Sequence, residues 1–408
     1  MVTGDKVVLM YVEAELPINQ NGSGGYYNHG LVNEVQPTEG DLVAIGAYLY
    51  SLDYEPDGSP LRWEIDPGDP NKGTLSLYFK DKQPNLLLDG THSLKVPGIE
   101  MLSNVTTLSV LDRGLGWLTD DDRRKNNLWF ESSLTLAQID KTVELININY
   151  SIGYDREFFE DVIIGVAYSH TMFNYRERLT YAGRFIVEMN ANSINPTIIL
   201  YSAAKLFSVI NMASLISYGF NWIDQYRNVY VDYQKETLHT LYSSHMIRAA
   251  VSLDYPIAVG KVFLKPAAGY EFMYLFSGTH KEESIYKQNT SPGVNSLALI
   301  YGNLKHIVHQ ITAGLKASYN FDKVTIEGKI MFLGLFGDLF ARAENSFVYK
   351  GYELFGVEGR IGYTYNLNFG LTAKIDLKHN VDVFFGYNGI INVGGYSHTT
   401  KLNFSYGF

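Results

Sequence analysis

The 408-residue chain contains no cysteine. That excludes disulfides, zinc–thiolate sites and thiol nucleophiles together. Long apolar runs are missing too. Mean hydropathy is −0.09, and the longest charge-free apolar stretch, Leu206–Ile223, is broken by Ser208, Asn211, Ser214, Ser217 and Asn221. A membrane-crossing helix needs about 20 predominantly apolar residues, so this stretch is a poor one. There is no excess of positive charge either. Thirty-three Lys and Arg against 43 Asp and Glu leave a net charge of −10, with a pI near 5.5, which argues against nucleic acid as a partner. The chain has no G-x-S-x-G, no H-E-x-x-H and no P-loop. His306 and His309 stand three apart on a predicted strand end and point to opposite faces, so they form no metal site. The 66–73 run (DPGDPNKG) lacks the alternating ligands and distal Glu of a calcium loop and reads as a turn. The expectation is therefore no enzymatic activity, with no catalytic, cofactor-binding or metal-ligating residues and no cofactor.

Aromatics and glycine are plentiful. There are 31 Tyr and 22 Phe beside 4 Trp, and 37 Gly. From Asn127 onward, segments of alternating polarity recur between turns. Ile146, Ile148, Tyr150, Ile152 and Tyr154 alternate with Asn147, Asn149, Ser151, Gly153 and Asp155. The same period runs through Arg248–Tyr255, through Ile311–Phe321, and through Ile216, Tyr218, Phe220 and Trp222. It ends the chain, with Leu402, Phe404, Tyr406 and Phe408 on one strand face. In a soluble sandwich, the alternative kept open here, the apolar face would be a core. The polar face is instead rich in Gly, Ser and Asn, which suits a crowded narrow lumen. Aromatic girdles, small inward residues and a closing aromatic strand are features of a transmembrane β-barrel.

The connections give the orientation. Short ones fall near Arg156–Asp161, Lys205–Ser208, Ile257–Lys261, Phe321–Lys323 and Lys378–Asn380. Longer polar ones are expected near Asn174–Asn195, Asp224–Thr240, Ser277–Lys305, Gly334–Gly351 and Gly389–Tyr396. Short periplasmic turns alternating with long outer loops give about twelve strands, with both barrel ends on the periplasmic side. Val357–Leu377 reads either as one long strand or as a hairpin around Asn366–Asn368. Upstream, Val7–Leu16, Leu42–Leu52 and Leu61–Ile65 read as strands, separated by turns at Asn21-Gly22, Asp57-Gly58 and 66–70. A short strand follows at Thr74–Phe79. Then Ile99, Leu102, Val105, Leu108 and Leu111 recur every third residue after Pro97, predicting a helix that starts at that proline. The charged 120–125 cluster reads as the turn into the first barrel strand.

This order of parts resembles the C-terminal translocator of a classical autotransporter (type V secretion) over nearly the whole chain. Gly4–Leu9, Gly46–Leu52 and Trp63-Glu-Ile65 are similar to the end of a pertactin-like passenger. Asn127-Leu-Trp129 resembles the first barrel strand; Ile152-Gly-Tyr-Asp155 and Ile164–Ser169 resemble the second and third. Leu264-Lys-Pro266 and Gly395-Tyr-Ser-His398 match habitual positions. One departure is Glu131, where the family often has Arg. The fold class implied is all-β, a barrel of about twelve antiparallel strands with a lumen helix and an N-terminal β-helix-like stem remnant. Its expected domains are a stem (1–65, autochaperone-like), a junction (66–96), a lumen helix and turn (97–125) and the barrel (126–408). No secretory signal opens the chain, so a fragment or a processed N-terminus is expected.

The resemblance implies an outer-membrane anchor and translocation pore that carries an N-terminal passenger to the bacterial cell surface. Its implied partners are outer-membrane lipids including lipopolysaccharide, the barrel-assembly machinery, periplasmic chaperones and its own passenger, which is absent here. Arg248, Asp254, Glu271, Lys316, Glu327, Lys329, Glu358, Arg360 and Lys374 are expected to line the pore and hold the helix. Phe404, Tyr406 and Phe408 are expected to act as an assembly signal. Some members free their passenger by Asn cyclisation. Asn126-Asn127 is read as a turn, Asn104 inside the helix is a second candidate, and no self-cleavage is expected. The rival readings are a diffusion porin or ligand channel with an N-terminal β-domain, a membrane-embedded hydrolase, and a soluble two-domain adhesin.

Overall fold

The computed structural model describes residues 11–15, 61–66, 69–77, 91–103, 106–118, 125–139, 142–159, 161–181, 184–231, 234–287, 298–321, 323–347, 355–377 and 380–408. Three N-terminal strands, β1 (Tyr11–Glu15), β2 (Leu61–Asp66) and β3 (Asp69–Leu77), form a sheet in the order β1-β3-β2. All of its pairing is antiparallel, unlike the parallel rung-on-rung pairing of a β-helix. The predicted strand at Leu42–Leu52 lies outside the described residues. Helices α1 (Thr91–Ser103) and α2 (Thr106–Leu118) follow. The helix thus begins six residues before Pro97, which sits inside α1. Asn104 and Val105, between the two helices, lie outside the described residues.

The remaining strands are β4 (Asn126–Ile139), β5 (Val143–Phe159), β6 (Val162–Tyr181), β7 (Arg184–Leu206), β8 (Ile210–Val231), β9 (Gln234–Asp254), β10 (Ile257–Val259), β11 (Val262–Ser277), β12 (His280–Lys281), β13 (Glu283–Lys287), β14 (Leu299–Tyr301), β15 (Leu304–Phe321), β16 (Val324–Gly337), β17 (Phe340–Phe347), β18 (Phe355–Arg360), β19 (Tyr365–Leu377), β20 (Val381–Asn392) and β21 (Gly395–Gly407). Twelve of them pair in a ring, β4-β5-β6-β7-β8-β9-β11-β15-β16-β19-β20-β21, with β21 returning antiparallel to β4. Closure leaves the wall without an edge, the condition for a sheet to span lipid. The ring strands run from 12 residues (β20) to 23 (β7), more than the 9–11 that a tilted strand needs to cross a bilayer.

Burial reverses the pattern of a soluble sandwich. Leu128, Phe130, Leu134 and Leu136 of β4 face outward and exposed, while Glu131, Ser133 and Thr135 are buried inside. The outward face continues around the ring with Ile152, Tyr154, Ile164, Ile198, Leu200, Ile216, Trp222, Ile330 and Phe385. So much exposed apolar surface calls for an apolar solvent.

All five short turns fall at one rim, where Asp161, Phe207, Ser208, Gly260 and Asn380 adopt positive φ. Asn126 and Asn127 also lie there, but in β4 rather than in a turn. Asn126 and Phe408 exchange backbone hydrogen bonds (2.9 and 3.2 Å) that seal the ring. The opposite rim corrects three expectations. Residues 174–195, 224–240 and 389–396 are not long loops: β6, β7, β8, β9, β20 and β21 continue through them, leaving only 182–183, 232–233 and 393–394 between strands. The connections after β11 and β16 supply a four-stranded outer sheet, β12-β14-β17-β18. Alternation across 357–377 likewise hides a break. β18 belongs to that outer sheet, and the wall resumes at β19 after Ile361–Thr364, with no hairpin at Asn366–Asn368.

Candidate functional site: the occupied lumen

The two helices lie inside the ring. At the outer end, Leu94, Val96, Ile99 and Met101 of α1 are buried among Leu145, Phe173, Tyr175, Met189, Ile223, Leu275, Val308 and Leu335 of the wall. Leu299, Tyr301, Ala341 and Ile361, from the outer sheet and its flank, join the same cluster. The outer half of the lumen is therefore a packed apolar core, with Lys95 reaching Glu177 at 3.0 Å. Inside it Glu100 is fully buried, its carboxylate facing the side chains of Ser193 and Asn195.

The inner half is built differently. Val110, Leu111, Leu115 and Leu118 of α2 pack on Ile163, Ala167, Ile199, Ala203, Ala213 and Leu215, one side of the wall. Approach is close because Gly114 meets Ala203 and Ala213; a Cβ there would stand 3.2 Å from that of Ala203. Two hollows in the wall assist. The indole of Trp129 lies over Gly153, and the ring of Tyr201 over Gly165, where any Cβ would collide with them. Trp129 Nε1 donates to the Tyr201 hydroxyl (2.8 Å), which donates to Asp155 (2.8 Å). Arg113 of α2 stacks over Trp129 and donates to Asp155 at 3.2 Å.

Polar contacts surround both helices. Arg248 donates to the Met101 carbonyl of α1 and to Thr107 of α2 (2.6 Å), and it faces Glu271 at 3.4 Å. Asn149 donates to Thr106 (2.9 Å). Glu131 accepts from Ser109 at 2.6 and 2.7 Å, and Lys401 donates to the same hydroxyl at 3.0 Å. Lys316 and Lys329 both reach Asp112, at 2.8 and 2.9 Å. The departure at Glu131 thus has a local role. The wall supplies the carboxylate here, and α2 supplies the arginine at the first-strand Trp. On the far side of α2 a polar cavity of about 420 Å³ remains. Asp112, Arg113, Glu131, Lys265, Glu327, Lys329, Lys374 and Lys401 line it, and Asn320, Lys323 and Asp382 carry it to the short-turn rim.

Seven of the nine predicted lining residues point inward. Besides those already placed, Asp254 accepts from Asn211 (2.7 Å), Glu327 pairs with Lys265 (3.0 Å), and Lys374 pairs with Asp382 (3.6 Å). Glu358 and Arg360 do not belong to a wall strand. They lie on β18 in the outer sheet, where Arg360 is exposed over Phe340 and Tyr363. Of the helix stripe, Ile99 and Leu111 are buried, Leu102 and Leu108 half-buried. The apolar stripe gave no signal for Thr106, Thr107, Ser109, Asp112 and Arg113, which make the polar bonds.

The outer half of the lumen is closed by side chains, and the helices run through it toward the rim where the barrel begins. A solved structure similar to this one is the translocator domain of the autotransporter NalP from Neisseria meningitidis, which is 12% identical. The match covers 79% of this chain and 100% of that one, with a TM-score of 0.57, and shows the fold. The β-domain of the Bordetella autotransporter BrkA is 13% identical over 70% of this chain and 100% of that one; its TM-score of 0.46 is too low to carry weight. No curated protein matches the sequence. The protein family described as "Autotransporter beta-domain" matches residues 145–388, more than half of the chain. The chain belongs to that family, the outer-membrane translocation pores of autotransporter passengers.

Proposed function

We propose that α1 and α2 are the plug and tether of a passenger that leaves through the outer rim, with residues 1–65 as the end of its stem at the cell surface. The observation that carries this is the direction of the helices. α1 shares its core with the outer sheet, and α2 lies beside the cavity that reaches the short-turn rim, so the helices run from the outer end inward. The protein performs no chemistry in this reading. Its lumen acids and bases hold the helices or pair across the wall, as Arg248, Glu131, Lys316 and Lys265 do. Outer-membrane lipids, the barrel-assembly machinery and periplasmic chaperones are its partners during biogenesis, and Phe404, Tyr406 and Phe408 are the signal that the machinery reads.

Single-channel conductance in planar bilayers tests the plug, with the full chain beside one that begins at Asn126. The expected result is low conductance from the full chain and a several-fold rise once residues 1–125 are removed. Equal, high conductance from both would mean an open lumen and favour a diffusion porin. Heat-resistant electrophoretic mobility of both chains establishes that each has folded.

A further inference from the structure

Histidine is uncommon on a surface that faces lipid, because its polar nitrogens need partners there. Five of the described histidines nevertheless face outward from the wall: His170, His239, His245, His309 and His398. Each one contacts a tyrosine. In three of them the arrangement is repeated. Tyr218 of β8 bonds His245 Nδ1 at 2.7 Å, Tyr270 of β11 bonds His309 Nδ1 at 2.7 Å, and Tyr387 of β20 bonds His398 Nδ1 at 2.6 Å. In register, Tyr218 stands opposite Ile247, Tyr270 opposite Ile311 and Tyr387 opposite Thr400. Each histidine is therefore the diagonal neighbour two residues nearer the outer rim on the following strand. A third aromatic flanks each pair: Phe276 beside His245, Phe336 beside His309 and Tyr396 beside His398.

Height on the wall places these pairs at one level. Tyr218 and Tyr270 stand eight residues above the starts of β8 and β11, and Tyr387 six above the start of β20. At about 3.4 Å per residue and a tilt near 40°, that is roughly 15–21 Å, and the histidines lie about 5 Å higher. An outer-membrane barrel's apolar belt is about 25 Å tall, so the histidines sit at its outer edge. Below them the outward residues on these strands are mostly apolar, as Ile210, Met212 and Ile216 are on β8, with Ser214 and Thr400 the small polar exceptions; above them come Asp224 and, on β15, Lys305.

The hydrogen bond also sets the chemistry. A tyrosine hydroxyl in lipid needs an acceptor, and Nδ1 is the one in reach. With Nδ1 accepting, the neutral imidazole carries its proton on Nε2, which has no hydrogen-bond partner among the described residues in any of the three. We propose that these three Tyr–His pairs are a ring of donors that binds the phosphate groups of outer-leaflet lipid headgroups, with the flanking aromatics packed on the acyl chains. This rests on the outer-membrane assignment and names the lipid contacts within it.

The test uses the full chain, folded in non-ionic detergent micelles that carry no phosphate. Diphosphoryl lipid A, and the same lipid with its phosphates removed, are titrated in and bound lipid is counted by native mass spectrometry. Wild type is expected to bind the phosphorylated lipid at least tenfold more tightly. The triple variant His245→Phe, His309→Phe, His398→Phe should lose that preference while keeping heat-resistant mobility. Equal binding of the two lipids by wild type, or an undiminished preference in the triple variant, would overturn the proposal. Should the triple variant not fold, Tyr218→Phe, Tyr270→Phe and Tyr387→Phe release the Nδ1 bonds at nearly constant size, and a retained preference in all three would be equally fatal. A wild-type chain that folds in no micelle would instead count against the membrane assignment itself.

Discussion

At the scale of single residues, Arg248 is the most exacting contact between wall and helices. It is 3% exposed, and its guanidinium touches both helices and Glu271. A buried pair contributes little net stability when intact, but removing one partner strands the other charge at a cost of about 3–5 kcal/mol. Arg248→Ala should therefore destabilise the folded barrel by that order, and Arg248→Ala with Glu271→Gln by less. Unfolding midpoints in urea, measured in vesicles beside the Glu271→Gln single variant, decide this; a double-variant loss equal to the sum of the two single losses would mean that the pair is not coupled. His280 offers a second test outside the membrane. It is stacked between Tyr242 and Tyr301 (3.9 and 4.7 Å between centroids), and burial lowers its pKa from 6.5 to about 4. The unfolded segment then binds the proton more readily than the folded one. Stability from the neutral ring is complete above pH 6.5 and is lost as pH falls toward 4, by up to on the order of 3 kcal/mol. Protection factors in β12 and β14, which correct for the slower intrinsic exchange at low pH, should fall over that window, and His280→Phe should reduce that fall.

At the scale of elements, period-2 alternation was enough to place the wall strands and their facing through the membrane, because one side meets lipid and the other the polar inner half of the lumen. Ile216, Tyr218, Phe220 and Trp222 point outward as that rule requires. The rule misleads where the wall leaves the membrane. Outward positions on β6 and β7 become Asn174, Arg176, Glu188, Asn190 and Asn192, which look like a polar loop although the strands continue. It also runs unbroken across Ile361–Thr364, because residues of the outer sheet alternate as well. The helix was visible from Ile99 and Leu111, but its start was not. Pro97 is well suited to a first helical turn, yet here it sits in the interior of α1, seven residues from Thr91 when both are counted. Enclosure by the wall supplies the packing that offsets a lost backbone hydrogen bond. The polar grip on α2 was illegible for another reason: Asp112 lies 204 residues from Lys316 and 217 from Lys329, and only barrel closure brings them together.

At the scale of the whole molecule, closure depends on its last strand finding its first, and Phe408 completes that seam. Its backbone exchanges hydrogen bonds with Asn126, whose side-chain amide also donates to the Phe408 carbonyl at 3.1 Å. Its ring lies outside the wall beside Tyr406 and Tyr154 (centroids 5.8 and 6.5 Å). Deleting Phe408 removes both the bonds and the ring, whereas Phe408→Ala keeps the bonds. Two readouts then separate seam strength from recognition by the assembly machinery. For spontaneous folding into vesicles, deletion should cost roughly 1–3 kcal/mol through the bonds, and the Ala variant less, since an exposed ring buries little. In cells, a signal carried by the ring should lower outer-membrane insertion several-fold in both variants alike. Reduced insertion in the deletion alone would assign the effect to the seam. Unchanged insertion in both would remove the C-terminal aromatic from any part in assembly.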